Sequence, residues 1–411
     1  MGLLNQIEHN MKNKIKILFI HHAAGWGGAP INMINIINKL DKTKFEPHVL
    51  LLKDSVVKNR LLELNIPFTL CTSSFYLNKY RYLSHTDAGK IKLFKVLTIS
   101  KVFISWFLSK YVYASKVLKG FNYDIVHLNS SVLSDWIYPA SKKGKVIYHI
   151  QEPISKGRFG FRYNFIRSEV AKYADMVIAI SKDNADRINL PQKTKIVYNF
   201  IDIPNGQKIG RGVKSILYVG GWAKIKGISV LLDAIPVIDK SIQINMMGQY
   251  PKLKPIGKFK KIVYKLCYPS AYKLRNKLIN ISNFENVNII GALPSIASTL
   301  YESSLVVSPF TVPHFSRPVI EAFAYGKPVV ASDILGMDEI VNDAVDGILF
   351  KNGDAKALAK AINTLVNRPE KLKKMGENGR KKSNELFNPE INTKKVEEVY
   401  LELMNGRDNF K

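Results

Sequence analysis

Short apolar runs that end at glycine or histidine, each followed by a longer stretch of helical periodicity, recur along this chain and constrain its fold more than any other feature. The first is Lys14-Ile-Lys-Ile-Leu-Phe-Ile-His21, then a glycine-rich turn, Gly25-Trp-Gly27-Gly28-Ala29, then Pro30. Beyond it Ile31, Ile34, Ile37 and Leu40 recur at three-residue spacing with Met33 and Ile36 beside them, an amphipathic helix with Pro30 suited to its first turn. Val49–Leu52, Asp124–Leu128, Lys145–His149 and Met176–Ile180 repeat the short apolar run, and Ser181 and Asp183 offer caps for the helix after the last. Such alternation implies a parallel sheet covered by helices on both faces.

From Asp202 to Val213 the sequence becomes turn-rich and poor in apolar residues, the composition of a linker. A second α/β series follows: strands at Ser215–Val219, Ile242–Met247, Val287–Ile290, Leu305–Val307 and Pro328–Ala331, with helices at Ile228–Ile235, Arg317–Tyr325 and after Asp354. A chain of 411 residues exceeds the roughly 250–300 that one hydrophobic core supports. We therefore expect two doubly wound domains, residues 1–205 and 206–386, and a C-terminal helix in 387–411 packing back toward the first. In such sheets ligands sit outside the carboxyl ends of the strands, so the expected site is a cleft between the two domains.

Several classes are disfavoured. Two cysteines, Cys71 and Cys267, make neither a disulfide framework nor a zinc-ligand spacing, which fits a reducing compartment. No Walker A motif and no G-x-G-x-x-G occurs, which argues against an ATPase or a dinucleotide enzyme. No D-x-D occurs either, so no metal site and no cofactor is expected. The apolar run Ile17–Ile20 is too short for an export signal, and Leu93–Ala114 is interrupted by Lys95, Lys101 and Lys110. The expectation is a cytoplasmic chain that crosses no membrane.

The ordered segments carry a resemblance. Gly27-Gly28, Asp124-Ile-Val-His127, the strand through His149, Ala174–Ser181 and Tyr198–Asp202 fall in the first half. Tyr218-Val-Gly-Gly-Trp-Ala-Lys-Ile-Lys226-Gly227, Asn245–Gly248, Asn288–Gly291 and Ser316-Arg-Pro-Val-Ile-Glu321-Ala-Phe-Ala-Tyr-Gly326 follow in the second. Together they resemble the nucleotide-sugar-dependent, retaining glycosyltransferases of family 4 (group 1), which have the two-domain GT-B fold. The resemblance implies a Rossmann-like acceptor-side domain, a Rossmann-like donor-binding domain, and catalysis in the cleft they face. It implies metal-independent transfer with retention, from a nucleotide-sugar to a glycan acceptor.

These residue types suit that chemistry. A donor diphosphate gathers negative charge as the glycosidic bond breaks, and fixed cations aimed at it lower the barrier. Lys226, just before Gly227 and a helix, is placed to supply one; Ser316 is a candidate N-cap, with backbone amides near His314–Arg317 aimed at a phosphate. Glu321 sits among Val319, Ile320, Ala322 and Phe323, so its carboxylate needs a partner; the resemblance places it on the nucleotide ribose. His149 ends a strand and resembles a family position near the donor sugar. The catalytic candidates are thus His149, Glu321 and Lys226, and the donor-binding ones Gly27, Gly28, Lys224, Lys226, Ser316, Arg317 and Glu321. Arg158 and Arg162 are candidates for the acceptor. Two positions depart from the family: Pro313 stands where its first conserved acid would be, and Gly221 where many members carry an arginine whose charge Lys224 or Arg317 could replace.

The net charge of +28, from 61 Lys and Arg against 33 Asp and Glu, asks for an anionic partner. Lys79–Lys119 and Lys252–Lys277 hold much of it, interleaved with aromatic residues. Basic plus aromatic suits an anionic membrane surface. Together with the resemblance, whose family often acts on lipid-linked acceptors, it implies a protein on the inner face of the cytoplasmic membrane, serving a lipid-linked acceptor in bacterial surface polysaccharide (capsule, O-antigen, exopolysaccharide) synthesis. No helix-turn-helix, RNA-binding signature or zinc spacing supports the rival reading, a nucleic-acid-binding protein. A second rival is a catalytically degraded glycosyltransferase-like scaffold, motivated by Pro313 and Gly221.

Overall fold

Ile17, Leu18, Phe19 and Ile20 are all fully buried, and they divide between two cores: Leu18 and Ile20 on one side of their strand, Ile17 and Phe19 on the other. Burial on both faces is why the run shows no polar alternation. The computed structural model describes residues 14–22, 25–83, 96–157, 160–202, 214–251, 257–293 and 295–405. Most of the linker read at Asp202–Val213 lies outside the described residues, as does the expected boundary at 205/206.

The first sheet holds β1 (Ile15–His21), β2 (Phe45–Leu51), β3 (Phe68–Leu70), β4 (Ile125–Leu128), β5 (Lys145–Ile150), β6 (Met176–Ala179) and β7 (Thr194–Ile196). Its order is β3-β2-β1-β4-β5-β6-β7, and every pairing is parallel. The chain therefore reverses its direction of travel across the sheet between β1 and β4, where Phe19 lies beside His127 and Ile20 beside Leu128. The helix Gly28–Lys39 packs Met33, Ile34, Ile36 and Ile37 into the core that holds Ile17 and Phe19. Val396, Val399, Tyr400 and Leu403 of the C-terminal helix Pro389–Asn405 join the same core. That helix is tied down by Lys39 to Glu390 at 3.1 Å and by the Asp41 amide donating to Glu397 at 2.7 Å. One compact unit thus runs to Phe200 and takes in the chain from Pro389, and the other spans Ile201–Asn388.

The second unit repeats the plan with β8 (Ser215–Val219), β9 (Gln243–Met247), β10 (Val287–Ile290), β11 (Leu305–Ser308), β12 (Val329–Asp333) and β13 (Gly347–Lys351), ordered β10-β9-β8-β11-β12-β13 and all parallel. Here the reversal falls between β8 and β11. Ile216, Tyr218, Ile244, Met246, Val307 and Val330 form its core against Leu231, Leu358 and Ile362. Both sheets are doubly wound, as the alternation predicts. The strands β3, β7 and β13 are additions to the sequence reading. β13 begins at Gly347 because a Cβ there would stand 2.7 Å from the Val329 carbonyl oxygen, so a glycine lets the edge strand approach. Asp354 caps the helix Ala355–Val366 by accepting from the Ala357 amide, and Ser181 caps Lys182–Ile188 by accepting from Asn184.

Candidate active site

In the second unit the reversal between β8 and β11 is built from glycines and one lysine. After β8 the chain turns through Gly220-Gly221 against the end of β9: both amides donate to the Met247 carbonyl, at 3.2 and 3.1 Å. Gly221 has φ +54°, and a Cβ there would lie 2.7 Å from the Gln249 carbonyl oxygen. The missing arginine at this position thus has a structural reason: the loop leaves no room for a side chain. A short turn, Lys224–Lys226, then leads into Gly227, whose φ is +75° and whose Cβ would collide with the Pro309 carbonyl just after β11. That close approach sets Lys226 beside the segment entering the helix Arg317–Ala324.

Lys226 lies within the field of Glu321, one helical turn into that helix, and its own charge acts on His314. Burial lowers the Lys226 pKa below its ordinary value, and the Glu321 charge opposes that shift. Burial first, and the Lys226 charge second, push His314 down to about 4, so its imidazole is neutral. It stacks on Phe310 with ring centroids 4.3 Å apart. Glu321 has the partner its apolar setting requires: Arg317 Nε donates to its Oε1 at 2.7 Å, with both side chains largely buried. The cluster combines two cations, a carboxylate and a neutral imidazole at the carboxyl end of a doubly wound sheet, where such folds bind ligands.

Two expectations here are corrected. Ser316 occupies the N-cap position but its side chain caps nothing, because its hydroxyl is bonded to that of Ser308 at 2.9 Å. The His314 amide, expected to face a phosphate, donates instead to the Leu335 carbonyl at 3.1 Å. Lys224 is exposed, whereas Arg317 is committed to Glu321.

In the first unit, one face of the sheet changes from apolar to polar toward its carboxyl edge. Ile17, Ile125 and Ile147 are in the core, and two and four residues on along the same faces come Phe19 and His21, His127 and Asn129, His149 and Gln151. His127 Nε2 meets His149 Nδ1 at 2.9 Å, and its Nδ1 meets the Tyr400 hydroxyl of the C-terminal helix at 2.8 Å. Gln151 Nε2 reaches His149 Nε2 at 3.2 Å and Asn129 Oδ1 at 3.2 Å, and Asn129 donates to the Ala29 carbonyl at 3.0 Å. Burial lowers His149 to about 3 and His21 to about 4, and holds His127 well below the usual imidazole range.

His149 is therefore 1% exposed, inside a relay of neutral groups. The groups left with unbonded polar atoms are His21, at Nε2, and Gln151, at Oε1. Sequence reading passed over Asn129 and Gln151; the period-two continuation from His127 and His149 is the signal that marks them. Glu152 is held next to them by both hydroxyls of Ser130 and Ser131 and by the Ser131 amide.

Gly27 and Gly28 open the helix beside Ala29. Neither has positive φ, and a Cβ on either would meet nothing within 4 Å. Packing within the first unit therefore does not require a glycine at either position. Arg158 lies outside the described residues; Arg162 is half-buried in the helix Phe161–Tyr173. Lys110, counted among the basic residues of the first aromatic stretch, is turned inward: Glu169 holds it at 2.7 Å amid Trp106, Tyr111, Tyr138 and Tyr173. Among the described residues no helix is long and apolar enough to cross a membrane.

Comparison with known proteins gives the same picture. The family model for glycosyl transferases group 1 matches residues 200–382, and that for glycosyltransferase family 4 matches residues 26–204. An uncharacterized glycosyltransferase of Methanocaldococcus jannaschii is 25% identical over 82% of this chain and 91% of its own. The N,N'-diacetylbacillosaminyl-diphospho-undecaprenol alpha-1,3-N-acetylgalactosaminyltransferase of Campylobacter jejuni is 24% identical over 63% of this chain and 72% of its own. The crystal structure of Anabaena HepE, in complex with UDP and glucose, shares the fold at a TM-score of 0.70 and 20% identity, covering 94% of this chain and 99% of that one. With two Rossmann-like units and both family models matched in order, the chain belongs to the group 1 glycosyltransferases with the GT-B fold.

Proposed function

We propose that this glycosyltransferase moves a sugar from a nucleotide-sugar to a lipid-linked glycan acceptor, with retention and without a metal ion, in surface polysaccharide synthesis. The observation that carries the reading is the cluster of Lys226, Glu321 and Arg317 at the strand-order reversal of the second unit. Lys226 faces the diphosphate, where the ligand's charge favours the ammonium that burial disfavours. Glu321, oriented by Arg317, accepts from the ribose hydroxyls. Exposed Lys224 supplies the charge that Gly221 cannot carry. The UDP bound by HepE supports a nucleotide donor, and the undecaprenol-linked substrate in the Campylobacter enzyme's name supports a lipid-linked acceptor at a membrane surface.

In the step we propose, the acceptor hydroxyl attacks the anomeric carbon on the face from which the nucleotide departs. The bond from that carbon to the β-phosphate oxygen breaks, and the departing phosphate takes the hydroxyl proton. The cations stabilise the developing charge on the diphosphate. The open backbone at Gly27-Gly28, with His21 and Gln151 behind it, suits the approach of the transferred sugar or acceptor. His149 acts through Gln151 as a positioning residue. The test is transfer from a panel of nucleotide-sugars to polyprenyl-diphosphate-linked saccharides in the presence of EDTA, with the anomeric configuration of the product read by NMR. An α-linked product from an α-linked donor supports the reading; inversion, or loss of transfer in EDTA, contradicts it.

A further inference from the structure

The second basic stretch of the sequence folds, over its described residues, into two consecutive helices, Lys258–Cys267 and Pro269–Ile281. The second is an ordinary packed helix: Leu274, Leu278 and Ile281 are in the core, Arg275 is buried, and Lys277 pairs with Asp233. The first is not. Its Tyr264 side leans on Tyr268 and Tyr272, with ring centroids 6.0 and 6.2 Å away. Ile262 and Leu266, four residues apart on one face, are 57% and 74% exposed, and Val263 and Tyr268 are exposed next to them. Lys261 and Lys265, also exposed, flank that apolar strip. A water-soluble surface helix would reverse this pattern, burying the apolar face and offering the lysines outward.

We propose that the helix Lys258–Cys267 is an interfacial docking element that lies in the plane of an anionic phospholipid surface, burying Ile262, Val263 and Leu266 among the acyl chains. Two features fix the occupant as a lipid surface. The strip is a single short helix face with lysines on its border, the arrangement that sits at a headgroup boundary. The chain also carries no Asp or Glu from Lys240 to Phe284, so nothing there repels an anionic surface. A second exposed strip, Ile104, Phe107, Leu108 and Tyr111, lies in the first unit, but Lys110 beside it is spent on Glu169. In the second unit both flanking lysines, Lys261 and Lys265, stay exposed, and docking there would hold the donor-binding unit itself at the membrane. The inference rests on the proposed lipid-linked acceptor for its purpose, though not for its physical basis.

The test is co-sedimentation of the full chain with phosphatidylcholine vesicles and with vesicles containing phosphatidylglycerol, none carrying an acceptor. Wild-type protein should bind the anionic vesicles, weaken with added salt, and bind the neutral ones poorly. The I262D/L266D variant should lose binding by about tenfold or more, with its circular dichroism and nucleotide-sugar hydrolysis unchanged. K261Q/K265Q should weaken binding to anionic vesicles while leaving the residual binding to neutral ones. Unchanged binding by I262D/L266D overturns the proposal. So does absent vesicle binding by a wild-type dimer that the same substitutions disperse, because the strip would then belong to a second copy. Donor hydrolysis is measured without vesicles, so a failed donor reading and a failed docking reading give separate signatures.

Discussion

Arg317 Nε donates to Glu321 Oε1 at 2.7 Å across one helical turn, so a guanidinium fixes the carboxylate in the middle of the segment Ser316–Gly326. Arg317 is therefore expected to act through Glu321. Arg317→Ala should lower kcat/KM by about tenfold, mainly through a higher donor KM, since a charge-assisted bond contributes about 1.5–3 kcal/mol. Arg317→Lys should recover part of the loss. Steady-state kinetics over donor concentration checks this, and an equal loss in kcat alone would place Arg317 on the reacting groups instead.

Lys226→Ala should cost about 10²–10³ in kcat, the range found when one donor to a developing anion is removed. The pH dependence has a definite sign. Burial lowers the folded pKa of Lys226, so the ammonium is lost as pH rises through a value below 10.5. Donor turnover should fall on that alkaline limb, and Lys226→Arg should move the limb to higher pH. A pH–rate profile of both proteins reads it directly.

His21, His127 and His149 are buried neutral, with folded pKa values below the ordinary 6.5. The unfolded chain then binds more protons than the folded one below that pH, so stability is full above about pH 6.5 and falls as the solution is acidified toward about 3 to 4. His149→Gln removes one such group and should flatten the acid limb of a urea-denaturation series. Tyr400→Phe should cost about 1 kcal/mol by orphaning His127. An acid limb identical in both histidine forms would contradict the relay.

Gly221→Arg, which restores the residue common in the family, should impair the protein. The position has φ +54° and its Cβ would press on the Gln249 backbone, so a loss of about 1–3 kcal/mol is expected along with donor affinity. Thermal melts and donor titration decide the matter; a variant that melts normally and binds donor more tightly would show that the loop opens.

The doubly wound plan was legible because fully buried parallel strands leave continuous apolar runs such as Ile17–Ile20 and Leu305–Val307. Lys226 and Glu321 were legible because each sits at a fixed offset from a glycine or a helix start. What escaped was tertiary. Nothing local in Val146–His149 reveals that His149 faces His127, or that a tyrosine from the C-terminal helix closes the relay, since those partners lie 22 and 273 residues from His127. Ser316 looked like a cap because its neighbours form a helix start; its hydroxyl is drawn off by Ser308, which only the sheet brings near. Lys110 was counted as surface charge because a sequence does not show Glu169 waiting across the packing of two helices.

Donor recognition by the second unit is tested most directly by isothermal titration of the full chain with a panel of nucleotide-sugars and nucleoside diphosphates, in EDTA. We expect saturable binding of at least one nucleotide series, weakened about tenfold or more by Glu321→Ala and by Lys226→Ala. Binding left unchanged by both substitutions, or no binding by any member of the panel, would contradict it.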